Sequence, residues 1–238
     1  MSNYPNIPPM KKLLLFGLLV LSSTQAFNNK TTNPIEGWKN TVVALSGKFN
    51  ISIDALKNAI NVYQQLKLVG KLNNQQYLTI ADFSKPSSEK RLFVINMEKM
   101  ELVFQSLVAH GRNSGKLMAE KFSNKMESYQ SSMGFFLTGN IYKGKHGMSL
   151  QLEGIEAGIN DKAKERAIVI HGADYVNDQL IKKQGYIGRS LGCPAVPQNQ
   201  VKEIIQTIKG SSLFYIHAPD KTYLQKSNLI SNPICGLG

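Results

Sequence analysis

Cysteine and tryptophan are nearly absent, two and one in a chain of 238 residues. Two thiols cannot build the disulfide framework that small secreted domains rely on, so the fold must rest on an apolar core. A chain of this length can form one, burying roughly 70% of its unfolded surface. The two cysteines and four histidines contain no C-x-x-C or H-x-x-H pair, so no local metal-binding motif is present. Acidic side chains are also few, 16 against 28 basic ones, which leaves a net charge of +12. There is no internal repeat and no low-complexity tract. Long apolar runs are missing too: Leu13 to Leu21 is about half of the ~20 residues that a membrane span requires.

That short run follows Lys11 and Lys12 and precedes the small-residue site Thr24-Gln25-Ala26. The pattern predicts a secretory signal peptide over 1–26, cut after Ala26, and no membrane span in the mature chain. The alternative for the same segment is a membrane anchor. The positive charge is spread out. "KGK" at 143–145 and "KK" at 182–183 lack the interleaved aromatics of single-strand binders, which speaks against nucleic acid. A secreted basic protein meets anionic cell-envelope polymers, although a merely solvated surface explains the charge equally well.

Beyond the leader, "SIDALKNAINVYQQLKLVGK" carries Leu56, Ile60, Tyr63 and Leu66 at helical spacing, with Ser52 as N-cap and Gly70 as C-cap. A weaker helical pattern, "IEGWKNTVVALSGKF", precedes it, and together they form a helical extension over 27–75. From there to residue 220 the pattern changes to short β-rich runs: "QYLTIADF", "RLFVINM", "ELVFQSLVAHG", "MGFFLTG", "MSLQLEG", "AIVIHG" and "SLFYIHA". Such spacing predicts a mainly β domain, an antiparallel or mixed sandwich or open barrel, making the chain α+β overall. One late helix, "NQVKEIIQTIKG", places Val201, Ile204, Ile205 and Ile208 on one stripe. The segment "GRNSGKLMAEKFSNKMESYQSS" reads as a long loop, of the kind that is functional or mobile. Residues 221–238 read as a C-terminal tail.

Chemistry concentrates in "GRSLGCPAVP", Gly188 to Pro197. A thiol in a turn becomes a strong nucleophile when an imidazole takes its proton, and His171, ending the run "AIVIHG", supplies one. The small residues of "SLGC", Ser190 and Gly192 among them, can turn backbone N–H groups toward an attacked carbonyl, while Pro194 and Pro197 keep the exit non-helical. Rival readings use the same residues. "GRSLG" fits G-x-S-x-G with Ser190 as nucleophile and Glu203 and His217 as partners, but that motif needs a helix where the prolines stand. His146, His171 and Cys193 make an acceptable ligand set for zinc. Cys193 can also pair with Cys235, which lies in the Pro/Gly-containing tail "SNPICGLG".

"IVIHG" followed by "GRSLGC" resembles the HG…S-x-G-C signature of murein L,D-transpeptidases. "VAHGRNSG", "FSN", "SSMGFFLTGNIYKGKHGMSLQLEGIE" and "GIN…RAIVIHGADYV" extend the likeness from about Leu78 to Tyr215. The resemblance implies Cys193 as nucleophile, His171 as general base oriented by a backbone carbonyl, and Gly192 with the Cys193 amide at the oxyanion. It implies peptidoglycan stem peptides as substrate, a thioester intermediate, no cofactor, and a periplasmic or cell-envelope location. Resolution by an amine would make the enzyme a transpeptidase, and resolution by water an L,D-carboxypeptidase. A non-catalytic envelope-binding module is a third reading. The chain departs from the better-known pattern S-x-G-C-x-R, since Pro194 and Ala195 stand where an arginine is usual. Arg189 can substitute as a carboxylate binder, and His146 and Tyr175 are further candidates for substrate contact.

Overall fold

Serine before an apolar periodic run is a helix start because its hydroxyl can accept an otherwise orphaned backbone N–H. In the computed structural model, which describes Met1, residues 34–145 and residues 147–231, Ser52 does this for Ala55 at 3.2 Å. It opens α2 (Ile53–Leu68), which follows α1 (Pro34–Phe49). The Ser52 amide donates to Asp82 at 2.9 Å and so fixes the helix start to the sheet. Helix α2 ends one residue earlier than expected, on Val69, with Gly70 just beyond at φ +68°. Leu56, Ile60, Tyr63 and Leu66 are all buried, and they join the same apolar core as the sheet. Most of the expected signal peptide, His146 and Cys235 lie outside the described residues.

Each of the seven β-rich runs forms a strand: β1 (Tyr77–Asp82), β2 (Leu92–Asn96), β3 (Glu101–Ser106), β4 (Gly134–Gly144), β5 (Gly147–Gly154), β6 (Val169–Ala173) and β8 (Leu213–His217). Between the last two lies β7 (Ala195–Pro197), which the sequence did not announce. Three residues that follow one proline and end on another carry no alternation, and proline is confined to the ends and edges of sheets. Together they make one mixed sheet in the order β3-β2-β1-β8-β4-β5-β6-β7. The β1–β8 and β6–β7 pairs are parallel and the others antiparallel. Beyond β3 the chain reaches the far edge, where the Ala109 amide donates to Ala195 O at 2.8 Å. This bridge curls the sheet nearly closed, so the open barrel is realised rather than the sandwich.

The expected late helix is α4 (Val201–Ile208), whose stripe of Val201, Ile204, Ile205 and Ile208 is buried against the sheet. Three shorter helices join it: α3 (Asp178–Gln184), α5 (Lys221–Lys226) and α6 (Asn228–Ser231). No side chain of α3 is buried, so it has no apolar stripe to read, and its ends are set instead by Asn177 as N-cap and Gly185 in the left-handed region. The long loop between β3 and β4 has no regular structure, yet Ser114, Ser131 and Ser132 within it are buried.

Candidate active site

The turn 188–193 is built by polar contacts between segments distant in sequence. Ser190 N donates to His110 O at 3.0 Å, and Arg112 N donates to Ser190 O at 2.7 Å, which seats the turn on the chain beyond β3. The Ser190 hydroxyl closes it: Oγ accepts the Gly192 amide at 3.0 Å and donates to Cys193 O at 2.6 Å. Gly192 sits at φ +132°, where side chains are rarely tolerated. A Cβ there would stand 2.9 Å from Gln130 O. The loop meets the turn at this point, since Ser131 Oγ donates to Gly192 O at 3.0 Å. With its amide directed to Ser190, Gly192 contributes a shape to the site, and the Cys193 amide is the turn's candidate oxyanion donor.

Cys193 is a free thiol, half-buried. Parallel pairing of β6 and β7 sets His171 opposite Ala195. Cys193, two residues before Ala195, lies beside the start of β6: Sγ is 3.5 Å from Val169 N and 3.6 Å from Ala167 O. Thiol and imidazole therefore come from neighbouring steps of adjacent strands, and diagonal pairs of this kind are within reach of long or ring side chains. His171 is buried, and its Nδ1 lies 2.9 Å from Gly172 O. A carbonyl only accepts, so Nδ1 carries the proton and Nε2 is the basic nitrogen. Burial pushes the Cys193 thiol up, while the Val169 amide, the Arg166 guanidinium and its own amide pull it back.

Tyr175 packs across Gly188, where a Cβ would fall 2.4 Å from the tyrosine's own Cβ. Its hydroxyl is pushed up to about 12, first by burial and then by the charge of Cys193. Arg189 is turned toward the loop, its Nη1 donating to Arg112 O at 3.0 Å and Gly115 O at 3.2 Å. It helps to line a cavity of ≈ 430 Å³ together with Arg112, Lys116, Lys121 and a single acid, Glu120. The serine-hydrolase partners are not brought together. Ser190 Oγ is committed within the turn, Glu203 is exposed on α4, and His217, on β8, is 3.1 Å from the Tyr215 hydroxyl. Of the three zinc-ligand candidates, His171 lies on β6 and Cys193 two residues before Ala195, the β7 partner of His171, while His146 lies outside the described residues.

Two contributors were not anticipated. His110 is fully buried beneath the turn, with Nδ1 2.7 Å from Arg91 Nη2 and Nε2 3.2 Å from Gly115 O. Burial, and then the Arg91 charge, hold it neutral, with a pKa lowered to about 4. The other is Arg166, which donates to Ser123 O, Ser132 Oγ, Ser128 Oγ and Gln130 O. Its only signal in the sequence is its place as the last charge before the apolar run that ends in His171.

Comparison with solved structures finds several distant matches. They include an L,D-transpeptidase from Mycobacterium smegmatis (12% identity, TM-score 0.37, covering 60% of this chain and 59% of that one). The helical cell shape determining protein Pgp2 from Campylobacter jejuni matches at 16% identity and TM-score 0.37, covering 67% and 56%. An L,D-transpeptidase from Xylanimonas cellulosilytica matches at 13% and 0.32, covering 52% and 55%. The chain thus spans less than two thirds of each, and likeness at this level assigns no role to any residue. Comparison with curated protein sequences returns no match. Among the described residues no helix is long and apolar enough to cross a membrane. The family model described as "L,D-transpeptidase catalytic domain" matches residues 48–217, from the end of α1 through the thiol turn to the last strand, and the chain belongs to that family.

Proposed function

We propose that the protein catalyses cysteine-dependent acyl transfer on peptidoglycan stem peptides. The observation that carries this reading is a free thiol beside the start of β6, the strand that also carries His171, whose Nδ1 lies 2.9 Å from Gly172 O. Nε2 of His171 takes the proton from Cys193 Sγ. The thiolate attacks the diaminopimelate carbonyl of a tetrapeptide stem, and the Cys193 amide faces the developing oxyanion. Collapse expels D-alanine, which leaves with the proton returned by His171, and the acyl group remains on sulfur as a thioester. A side-chain amine of a second stem then forms an amide and releases the thiol, giving a 3-3 cross-link. The basic cavity beside Arg189 suits carboxylates of the stem, and Tyr175, whose hydroxyl feels the charge of Cys193, is proposed as a substrate contact nearer the thiol. His146 is proposed as a further substrate contact.

The test is mass spectrometry of purified protein incubated with disaccharide-tetrapeptide, beside Cys193→Ala. Dimeric product that vanishes in the variant supports transpeptidation. Tripeptide alone, equally dependent on Cys193, assigns the water-resolved carboxypeptidase reaction. No D-alanine release from the wild type overturns the substrate and favours the binding-module reading. The proposed site of action is the periplasm or cell envelope, and N-terminal sequencing of the exported protein should begin at Phe27.

A further inference from the structure

Arg166 lies three residues before the start of β6 and is half-buried, yet among the described residues no carboxylate forms an ion pair with it. Nη1 donates to Ser123 O and Ser132 Oγ, both at 2.5 Å, and Nη2 to Ser128 Oγ at 3.2 Å and Gln130 O at 2.6 Å. All four acceptors are uncharged and belong to the long loop. An Arg fork spread over four neutral acceptors fixes a segment's position without cancelling its own charge. That charge is directed at the thiol turn. Nη2 would lie 3.4 Å from a Cβ on Gly192, the residue before Cys193, and Gln130 O, which it binds, is the atom that such a Cβ would meet at 2.9 Å. Ser131 Oγ, between the clamped residues Gln130 and Ser132, holds Gly192 O at 3.0 Å. The Cys193 sulfur itself lies 3.6 Å from the carbonyl of Ala167, the next residue after the arginine.

We propose that Arg166 is a positioning residue of this site with two linked tasks. It clamps the 123–132 segment of the loop against the Gly192–Cys193 turn, and it supplies the uncompensated positive charge that favours the thiolate of Cys193. This rests on Cys193 being the nucleophile of the proposed reaction. Cys193 is the group whose charge holds up the arginine's own titration against burial, and the guanidinium acts on the thiol in return. The proton lost from Sγ passes to His171 in the reaction, or to solvent when the thiol is titrated alone.

The experiment measures alkylation of Cys193 by iodoacetamide as a function of pH on the full chain, with peptide mass spectrometry separating Cys193 from Cys235. In Arg166→Gln the pH midpoint should rise by about one pH unit or more, the size expected when a cation near a thiolate is lost. Alkylation well below the midpoint should then slow about tenfold. Arg166→Lys should keep the midpoint within about half a pH unit while lowering thermal stability, because charge remains and the fork is lost. Ser128→Asp preserves the arginine and places a carboxylate on Nη2. It should raise the midpoint as well, which keeps the idea open to refutation if Arg166→Gln does not fold. A midpoint unmoved in both Arg166→Gln and Ser128→Asp, with stability alone reduced, overturns the electrostatic task and leaves a purely structural clamp. Alkylation needs no turnover, so this failure is distinct from a wrong substrate, which the D-alanine assay would report.

Discussion

Ser190→Ala removes one oxygen from the turn and tests whether that oxygen organises the nucleophile. Two interactions go: the Gly192 amide loses its acceptor at 3.0 Å, and Cys193 O loses its donor at 2.6 Å. The amide is buried, so its desolvation goes uncompensated, which costs about 1–3 kcal/mol. The carbonyl is only partly buried and water can replace the hydroxyl, so that loss is nearer the net value of one hydrogen bond, about 1 kcal/mol. Their sum, about 2–4 kcal/mol, corresponds to a fall in Tm of roughly 4–16 °C at about 2–4 °C per kcal/mol for a domain of this size. Catalysis should suffer through geometry, because a misplacement of about 1 Å at a reacting group can lower turnover about 100-fold. The assay pairs differential scanning fluorimetry with D-alanine release. The expected outcome is a Tm well below wild type, kcat reduced about 10- to 100-fold, and a slowly formed thioester still on Cys193. A Tm within about 1 °C of wild type and turnover within about twofold would refute the reasoning. Abolished turnover in Ser190→Ala, with Cys193→Ala still active, would instead restore the serine-nucleophile reading.

Two more perturbations probe what surrounds the turn. Gly192→Ala places a Cβ 2.9 Å from Gln130 O at φ +132°, so strain of about 1–3 kcal/mol should be relieved by displacing the loop. Limited proteolysis within 111–132 should accelerate and D-alanine release should fall together, and a native-like cleavage pattern would contradict the contact. His110 stays neutral in the fold down to about 4, whereas the unfolded imidazole protonates near 6.5. Its depressed pKa gives a stability contribution that is complete above pH 6.5 and is lost as pH falls toward 4, on the order of 3 kcal/mol in all. Urea denaturation of wild type should therefore weaken across that window, and His110→Gln, which can still accept from Arg91 and donate to Gly115 O, should flatten the slope. Equal slopes in the two proteins would remove His110 as the cause.

What the sequence made legible was local. Seven strands could be read because six are short runs rich in β-branched or aromatic residues bounded by turn formers and β5 alternates Met148, Leu150 and Leu152 with polar residues, and α2 and α4 because their buried side chains recur at helical spacing. Cys193 and His171 could be singled out as candidates because a motif surrounds each. The features that escaped lack a local signature: β7 is three residues long, and α3 has no fully buried side chain. The motif also suggested the Gly192 amide for the oxyanion, whereas that amide is directed to the hydroxyl of Ser190, two residues earlier. Arg166 and Ser131 are a sharper case. Ser131 reaches Gly192 across 61 residues of chain, and Arg166 reaches Ser123 across 43. No periodicity connects such pairs, because they meet only after the loop has folded back over the mouth of β6. The division has a chemical meaning. A nucleophile and its base must be a certain pair of residue types, which a string of letters can display. The charge and packing that set their reactivity can come from any segment the fold delivers, and here they come from a loop joined to the site by an arginine.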